Sequence, residues 1–209
     1  MSLRDFVAEL GSHSPAPGGG SAAAVCGALG AALSAMVSRL TLGKQRYRDA
    51  WQSMEKVQQD SEHLSDHFLW LVQEDTDAYN EVVAAVKLPK ETKEQKASRD
   101  EALQAASKRA AEIPLYTLRA AEKLVLVAKE AVERGNPNTF TDAGAAVQLA
   151  RTAAMVASYN VQINLPGIRD KKFVEDSKRE VEETLLRINS LSAEMNGYVN
   201  IQLHRALGA

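Results

Sequence analysis

The chain has 209 residues, of which 45% are hydrophobic and 5% aromatic, and its formal net charge is −2 with a pI near 6.1. This length is enough for one domain with a sizeable core, and the scarcity of aromatic side chains predicts an aliphatic, alanine-rich core of the kind that helices form. Because there is no basic surplus, the composition argues against nucleic-acid binding.

The N-terminal segment predicts a short helix followed by a long apolar one. Ser2 can cap the short helix, and Gly11 ends it. The long helix is expected over about residues 20–42, and no charged residue lies between positions 15 and 38. A helix that is apolar all round is surrounded by other elements, and its alanine, glycine and serine content is too weakly apolar to favour a membrane span.

The entry to this helix reads Pro-Ala-Pro-Gly-Gly-Gly-Ser. Gly18, Gly19 and Gly20 leave no side chains over the helix start, and Ser21 can cap the first turn. Exposed N–H groups and the helix dipole make this start a candidate anion site, the alternative being a plain glycine-rich turn with a cap. A nucleotide P-loop is excluded because no strand precedes the glycines and no Lys-Ser/Thr pair follows them.

Cys26 is the single cysteine, and it lies in the apolar helix. It cannot form an internal disulfide, and a buried, inert thiol is the expected state because nothing nearby in the sequence would lower its pKa. Together with an N-terminus unlike a signal peptide, this predicts a reduced, cytoplasmic protein.

Residues 47–88 predict a long helix with a regular inner face. The positions of this face recur at alternating gaps of three and four, the spacing of bundle packing, and all but two are apolar. They are Met54, Val57, Ser61, Leu64, Phe68, Leu71, Asp75, Ala78, Val82 and Ala85. Asp75 stands where the pattern requires an apolar residue, and buried carboxylates are costly unless paired or functional. It is therefore either a structural partner for a cation or helix end, or a functional group.

His63 and His67 stand four residues apart on one face of this helix. That spacing can hold a metal ion, but the two flank the inner face and no third ligand is evident nearby. An exposed face without metal is the expected arrangement.

Three further helices are expected in the second half of the chain. The first covers residues 98–133 and contains Pro114, which should kink or split it and free a carbonyl one turn back. The next covers about residues 141–163, and its inner positions are Asp142, Ala146, Leu149, Ala153, Val156, Asn160 and Ile163. The last is capped by Asp170. Since no strand-like alternation appears, the sequence predicts one all-α domain over residues 1–209, a bundle of six or seven long antiparallel helices.

Several polar residues sit near helix ends. Asp142 follows a Gly-Asn-Pro-Asn loop and is either a helix cap or a functional carboxylate, while Asn136 and Asn138 are common turn residues. Asn160 and Asn164 can bind a ligand or satisfy kinked backbone, and the sequence favours neither.

A family resemblance rests on six motifs in order along nearly the whole chain. They are Pro-Ala-Pro-Gly-Gly-Gly-Ser at 15–21, Leu-Gly-Lys-Gln-Arg-Tyr at 42–47, Glu-Asp-Thr-Asp-Ala-Tyr at 74–79, Ile-Pro-Leu at 113–115, Gly-Asn-Pro-Asn-Thr-Phe-Thr-Asp-Ala-Gly at 135–144 and Asn-Val-Gln-Ile-Asn at 160–164. In these motifs the chain resembles the formiminotetrahydrofolate cyclodeaminase and methenyltetrahydrofolate cyclohydrolase family. It differs in having Ala16 between the prolines and Thr141 before Asp142, where the family usually has Thr and Ser.

The resemblance implies a helical fold that dimerises, with a folate site in a groove near the dimer interface. It implies a methenyltetrahydrofolate cyclohydrolase, or alternatively a formiminotetrahydrofolate cyclodeaminase that releases ammonia, with no metal and no cofactor beyond the folate substrate. It also implies catalytic roles for Asp75 and Asp142. The implied binding residues are Pro17, Gly18, Gly19, Gly20, Ser21, Lys44, Arg46, Tyr79, Asn136, Asn138, Thr141, Asn160 and Asn164. A non-catalytic folate-binding scaffold is the alternative from another class.

Overall fold

The computed structural model describes residues 2–208, which form six α-helices and two short 3₁₀ helices and contain no strand. The α-helices are α1 (Leu3–Leu10), α2 (Gly19–Thr41), α3 (Trp51–Val86), α4 (Lys93–Arg134), α5 (Phe140–Asn164) and α6 (Lys171–Leu207). The 3₁₀ helices cover Gln45–Ala50 and Pro137–Thr139. The predicted all-α bundle with long helices is confirmed.

Helices α2, α3, α4 and α5 form an antiparallel four-helix bundle, and α6 packs against α4 and α5. Ser38 Oγ donates to the Met54 carbonyl at the start of α3, whereas Ser21 at the other end of α2 contacts Asp75 near the end of α3. Helices α2 and α5 are also antiparallel, because Gly19 at the start of α2 lies against Asn160 near the end of α5. Each end of the bundle therefore gathers residues from distant parts of the chain.

The predicted limits of α1 and α2 agree closely with the structure, but one predicted cap is wrong. Ser2 caps α1 with a reciprocal bond to Asp5, and α2 stops just before Gly43, whose φ is +76°. The N-cap of α2 is Gly18, without a side-chain bond, and Ser21 lies inside the first turn. The Ser21 hydroxyl is thereby free to bond across to α3.

The inner face predicted for α3 is confirmed. Eight of the ten positions are buried, and Asp75 and Val82 are half-buried. Leu, Phe and Met side chains spaced three and four apart leave only one way to turn this helix toward the core.

Pro114 does not split α4, which continues from Lys93 to Arg134. The carbonyl it frees, that of Ala110, accepts a 2.8 Å hydrogen bond from the side-chain amide of Asn164 on α5. A buried backbone acceptor without a partner is costly, so this bond offsets the loss caused by the proline ring.

The inner face predicted for α5 is confirmed only in part, since two of its seven positions, Ala146 and Ala153, are buried. The buried positions are Ala143, Ala146, Val147, Ala150, Ala153, Ala154, Ala157, Ser158 and Val161, and the predicted inner residue Ile163 is 74% exposed. Alanine occurs on several faces of α5, so its apolar pattern hardly favours one direction, and the close approach of α2 and α4 decides which face is buried.

Among the described residues one helix, α2, is long and apolar enough to cross a membrane. However, 61% of its most apolar window is buried by the other helices. This burial is typical of a core helix, as the sequence predicts.

Candidate functional site

Asp75 lies against the first turn of α2. The Ser21 hydroxyl donates a 2.8 Å hydrogen bond to Asp75 Oδ2 and lies 3.4 Å from the Thr76 hydroxyl. The carboxylate thus occupies the helix start that the sequence marks as an anion site, where backbone N–H groups and the helix dipole favour negative charge. The protein itself supplies an anion there.

Gly20 makes this contact possible. A Cβ atom added at Gly20 would lie 2.0 Å from Asp75 Oδ1, too close for any real pair of atoms. At Gly18 and Gly19 an added Cβ would meet nothing closer than 3.8 Å and 3.5 Å. Of the three glycines, only the last is required by the carboxylate.

Burial raises the pKa of the Asp75 carboxyl, although the hydrogen bonds from the Ser21 side chain and backbone act in the opposite direction. In residues 2–208 no Lys, Arg or His forms an ion pair with Asp75. A structural carboxylate would be expected to have such a cation. The contact with the start of α2 fits a structural partner for a helix end, and the lack of a paired cation fits a functional acid or base, so the role of Asp75 stays a prediction.

Other residues of the implied site surround this end of the bundle, which we call the glycine end (residues 17–21, 75–79 and 160–164). The Asn160 amide donates to the Val156 carbonyl of its own helix, and its side chain lies beside Gly19. Tyr79 is 39% exposed. Asn164 is committed to the Ala110 carbonyl, so of its two predicted roles the structure favours the satisfaction of kinked backbone.

Arg109 on α4 was not predicted for this region. It pairs with Glu74 at 2.6 Å and with Glu81 at 3.2 Å, next to the turn of α3 that carries Asp75. Pairing across two helices cannot be read from spacing along one of them. The only sequence signal was its place shortly before Pro114.

Asn136 organises the opposite end, which we call the asparagine end (residues 41–47 and 135–142). Its side-chain oxygen accepts from the Tyr47 hydroxyl at 2.9 Å and from the Asn138 N–H at 3.0 Å. Its amide donates to the Leu40 carbonyl, and its own N–H donates to Thr41 Oγ1. Asn136 is 4% exposed. These bonds favour a structural role for Asn136 in joining α2 to the loop before α5.

The other residues implied at the asparagine end are more accessible. Asp142 is half-buried in the first turn of α5, while Asn138 and Thr141 are exposed. Lys44 and Arg46 are exposed as well, and the Arg46 guanidinium lies 4.6 Å from the centre of the Tyr47 ring. Their binding roles stay predictions.

The structure does not bring Asp75 and Asp142 together within one chain. Asp75 contacts the start of α2, whereas the loop before Asp142 contacts its end. Twenty-three residues of helix, at about 1.5 Å each, separate the two ends by roughly 35 Å. The implied site is thus divided into two halves in a single subunit.

Within residues 2–208 no group of three His, Cys, Asp or Glu side chains is placed to hold a metal ion. His63 and His67 line a groove between α3 and α4, away from both ends. Burial raises the pKa of the half-buried Cys26 thiol, which disfavours a reactive thiolate.

Comparisons with known proteins agree with this architecture. A family model described as formiminotransferase-cyclodeaminase matches residues 2–183. A methenyltetrahydrofolate cyclohydrolase of Methylorubrum extorquens is 37% identical over 190 residues, covering 91% of each chain. A formimidoyltransferase-cyclodeaminase of Rattus norvegicus is 33% identical over 94% of this chain, which spans 36% of the rat protein. The crystal structure of a formiminotetrahydrofolate cyclodeaminase from Thermotoga maritima superposes with a TM-score of 0.86 at 28% identity, covering 96% of both chains.

Proposed function

The chain belongs to the formiminotransferase-cyclodeaminase family, and on that premise we propose that it is a methenyltetrahydrofolate cyclohydrolase. The cyclohydrolase of Methylorubrum extorquens supports this choice because it is 37% identical to this chain over 91% of each protein. Water adds to the methenyl carbon of the substrate, and the bridge opens to formyltetrahydrofolate.

Asp75 is the observation that carries the proposal. The methenyl bridge is an amidinium cation, and a carboxylate beside it stabilises the charge and accepts a proton from the attacking water. The tetrahedral carbon then loses one of its two C–N bonds, the departing nitrogen takes a proton, and one proton is released overall. A carboxyl whose pKa is raised by burial is suited to both accepting and returning that proton.

The active unit is a homodimer in which each site uses both ends of the bundle. On the part of α2 that is not covered within one chain, Leu29 is 48% exposed and Leu40 40% exposed, and the one charged residue of this helix, Arg39, pairs with Glu62. A twofold axis perpendicular to α2 runs the two copies of this helix antiparallel. The glycine end of one subunit then lies beside the asparagine end of the other, so Asp75 and the partner subunit's Asp142 share one site.

In this arrangement Asp142 and Asn138 face the substrate from the second subunit, and the exposed Lys44 and Arg46 lie where a carboxylate-bearing tail of the folate can reach them. Opposite charges at an exposed site contribute affinity and orientation rather than chemistry. The reaction needs water and proton transfer alone, so no cofactor besides the folate is proposed. The proposed site of action is the cytoplasm.

The cyclodeaminase reaction is the second candidate, supported by the structural likeness to the Thermotoga maritima enzyme. It closes a formimino group onto the second nitrogen, passes through a similar tetrahedral carbon and expels ammonia. The same carboxylate would transfer the proton to the leaving amine.

Two assays on one preparation distinguish the candidates. Loss of the methenyltetrahydrofolate absorbance with enzyme-dependent turnover supports the cyclohydrolase, and ammonia release from formiminotetrahydrofolate supports the cyclodeaminase. Tight folate binding without turnover in either assay would contradict both and leave a non-catalytic folate-binding scaffold.

A further inference from the structure

One cavity of the described chain lies at neither end of the bundle. It is a groove of about 600 Å³ between α3 and α4, within the size range of small-molecule sites. Its lining residues are Asp60, His63, Leu64, His67, Tyr116, Arg119, Ala120, Lys123, Leu126 and Val127. We call it the α3/α4 groove.

The groove combines an apolar floor with a cationic rim. Leu64 and Ala120 are buried beneath it, and Leu126 is 53% exposed at its edge. Both histidines stand on the α3 side, and two basic residues stand on the α4 side. An apolar floor with a few charged groups is typical of sites for amphipathic ligands.

Lys123 is the charge in this groove that lacks a partner. Arg119 forms a two-bond ion pair with Glu180, and Asp60 pairs with Lys56 at 2.8 Å. Within residues 2–208 the Lys123 ammonium has neither an ion pair nor a hydrogen bond to another side chain. It is thus available to an anion from outside the chain.

His67 faces the same ammonium. Burial first, and the nearby Lys123 second, lower the pKa of His67. The His67 ring stacks on Trp70 with 5.4 Å between ring centres, which holds it at the wall of the groove. An anion bound beside Lys123 would act in the opposite direction on the pKa of His67.

We propose that the α3/α4 groove is a second ligand site, separate from the site at Asp75, for a small amphipathic anion with an aromatic or branched apolar body and one carboxylate or sulfonate group. The apolar body packs on Leu64 and Leu126, and the acidic group pairs with Lys123. The proposal does not depend on the proposed reaction, because Asp75 contacts α2 and the groove opens between α3 and α4.

Anilinonaphthalene sulfonate is the test probe, since it carries one anionic group on an aromatic body. We expect saturable fluorescence enhancement with one probe per chain by equilibrium dialysis. Lys123→Gln should weaken binding at least about fivefold by removing a charge-assisted contact. Leu126→Glu should weaken it as well, by placing a negative charge at the edge of the groove.

Lys96→Gln is the matched control, because Lys96 is exposed on the same helix and does not line the groove. It should leave the probe affinity unchanged, and neutral phenylnaphthylamine should bind at least about tenfold more weakly than the sulfonate. Equal affinity of the Lys123→Gln and Lys96→Gln variants, or equal affinity for the neutral probe, would overturn the proposal.

Turnover and competition with folate test whether the α3/α4 groove is separate from the folate site. Lys123→Gln should retain turnover, and saturating methenyltetrahydrofolate should leave the probe bound. If folate displaces the probe, or if turnover falls together with probe affinity, the groove is part of the folate site and the inference of a second site is wrong. Turnover loss in Asp75→Asn with unchanged probe binding would separate the two proposals.

Discussion

The two ends of the bundle carry similar numbers of polar residues but use them differently. At the asparagine end, the Asn136 side chain forms hydrogen bonds with Tyr47, Leu40 and the loop backbone. At the glycine end, Asp75 is half-buried, has a raised pKa and has no cationic partner in the described chain. The hydrogen bonds of Asn136 join elements of the fold, whereas Asp75 keeps a raised pKa despite its bonds to Ser21, as expected of the proton-transfer group proposed above.

Asp75→Asn should give the largest effect on activity. We expect turnover to fall at least about a hundredfold, because the amide can neither accept the proton of water nor stabilise the substrate cation. The melting temperature should be equal or higher, since a neutral amide costs less to bury and can still accept the Ser21 bond. Steady-state kinetics and thermal denaturation on one preparation measure both.

Asp77→Asn is the matched control for Asp75→Asn. Asp77 lies two residues further along α3 and bonds only Gln73 of its own helix. Its substitution should leave turnover within about twofold of wild type. A clear fall in the melting temperature of Asp75→Asn with activity per folded molecule retained would show that Asp75 is structural.

Asp142→Asn should fold normally and lose at least about tenfold in turnover. The loss is smaller than for Asp75 because no described residue hydrogen-bonds the Asp142 carboxylate and fixes its position. This substitution tests whether the asparagine end contributes to the reaction at all.

Co-expression of Asp75→Asn and Asp142→Asn chains tests how the two ends are combined. In a dimer with shared sites, half of the dimers are mixed and each has one site with both aspartates, so about a quarter of wild-type activity should return. No recovery in a verified mixture would contradict the shared site, and about half of wild-type activity would remove Asp142 from it.

Gly20→Ala should reduce turnover about tenfold by displacing the Asp75 carboxylate from Ser21, since the new methyl group would overlap Oδ1. Gly18→Ala is the control, with only an ordinary contact of 3.8 Å to the Pro15 carbonyl. Gly19→Val, at the open position beside Asn160, should weaken folate binding more than folding. Equal kinetics for Gly20→Ala and Gly18→Ala would show that the Asp75 contact is dispensable.

The raised pKa of Asp75 predicts a pH-dependent stability difference. The folded chain keeps a proton on Asp75 where the unfolded chain, with a pKa near 3.8, has already lost it. The contribution of Asp75 to the free energy of unfolding is therefore greatest below the pKa of the unfolded chain. It is lost as pH rises through the pKa of the folded chain. In urea denaturation across this range, the free energy of unfolding of Asp75→Asn should increase relative to that of wild type as pH rises. A difference in unfolding free energy that does not change with pH would contradict the raised pKa.

Asn164→Ala should have the smallest effect on activity and a measurable effect on stability. It leaves the Ala110 carbonyl beside Pro114 without its partner, which costs about 1–3 kcal/mol. Asn160→Ala, at the same end, breaks only a bond within its own helix and should reduce folate affinity rather than stability. Denaturant titration and KM values on both variants test this contrast.

Sequence alone determined the helices, their approximate ends and the inner face of α3. These follow from local chemistry, namely side-chain spacing, caps and the breaks at glycine and proline. The anomaly at Asp75 was visible for the same reason, because one carboxylate interrupts an otherwise apolar row.

Tertiary structure alone decided which face of α5 is buried and how the Ala110 carbonyl is satisfied. It also decided that Asp75 and Asp142 of one chain lie at opposite ends of the bundle. The alanine pattern of α5 offers several nearly equal faces, and packing against α2 and α4 selects one of them. The bond from Asn164 to Ala110 and the contact between Gly20 and Asp75 each join residues more than fifty positions apart. Such contacts depend on how helices pair in space, and a periodic pattern along one helix carries no information about its partner's register.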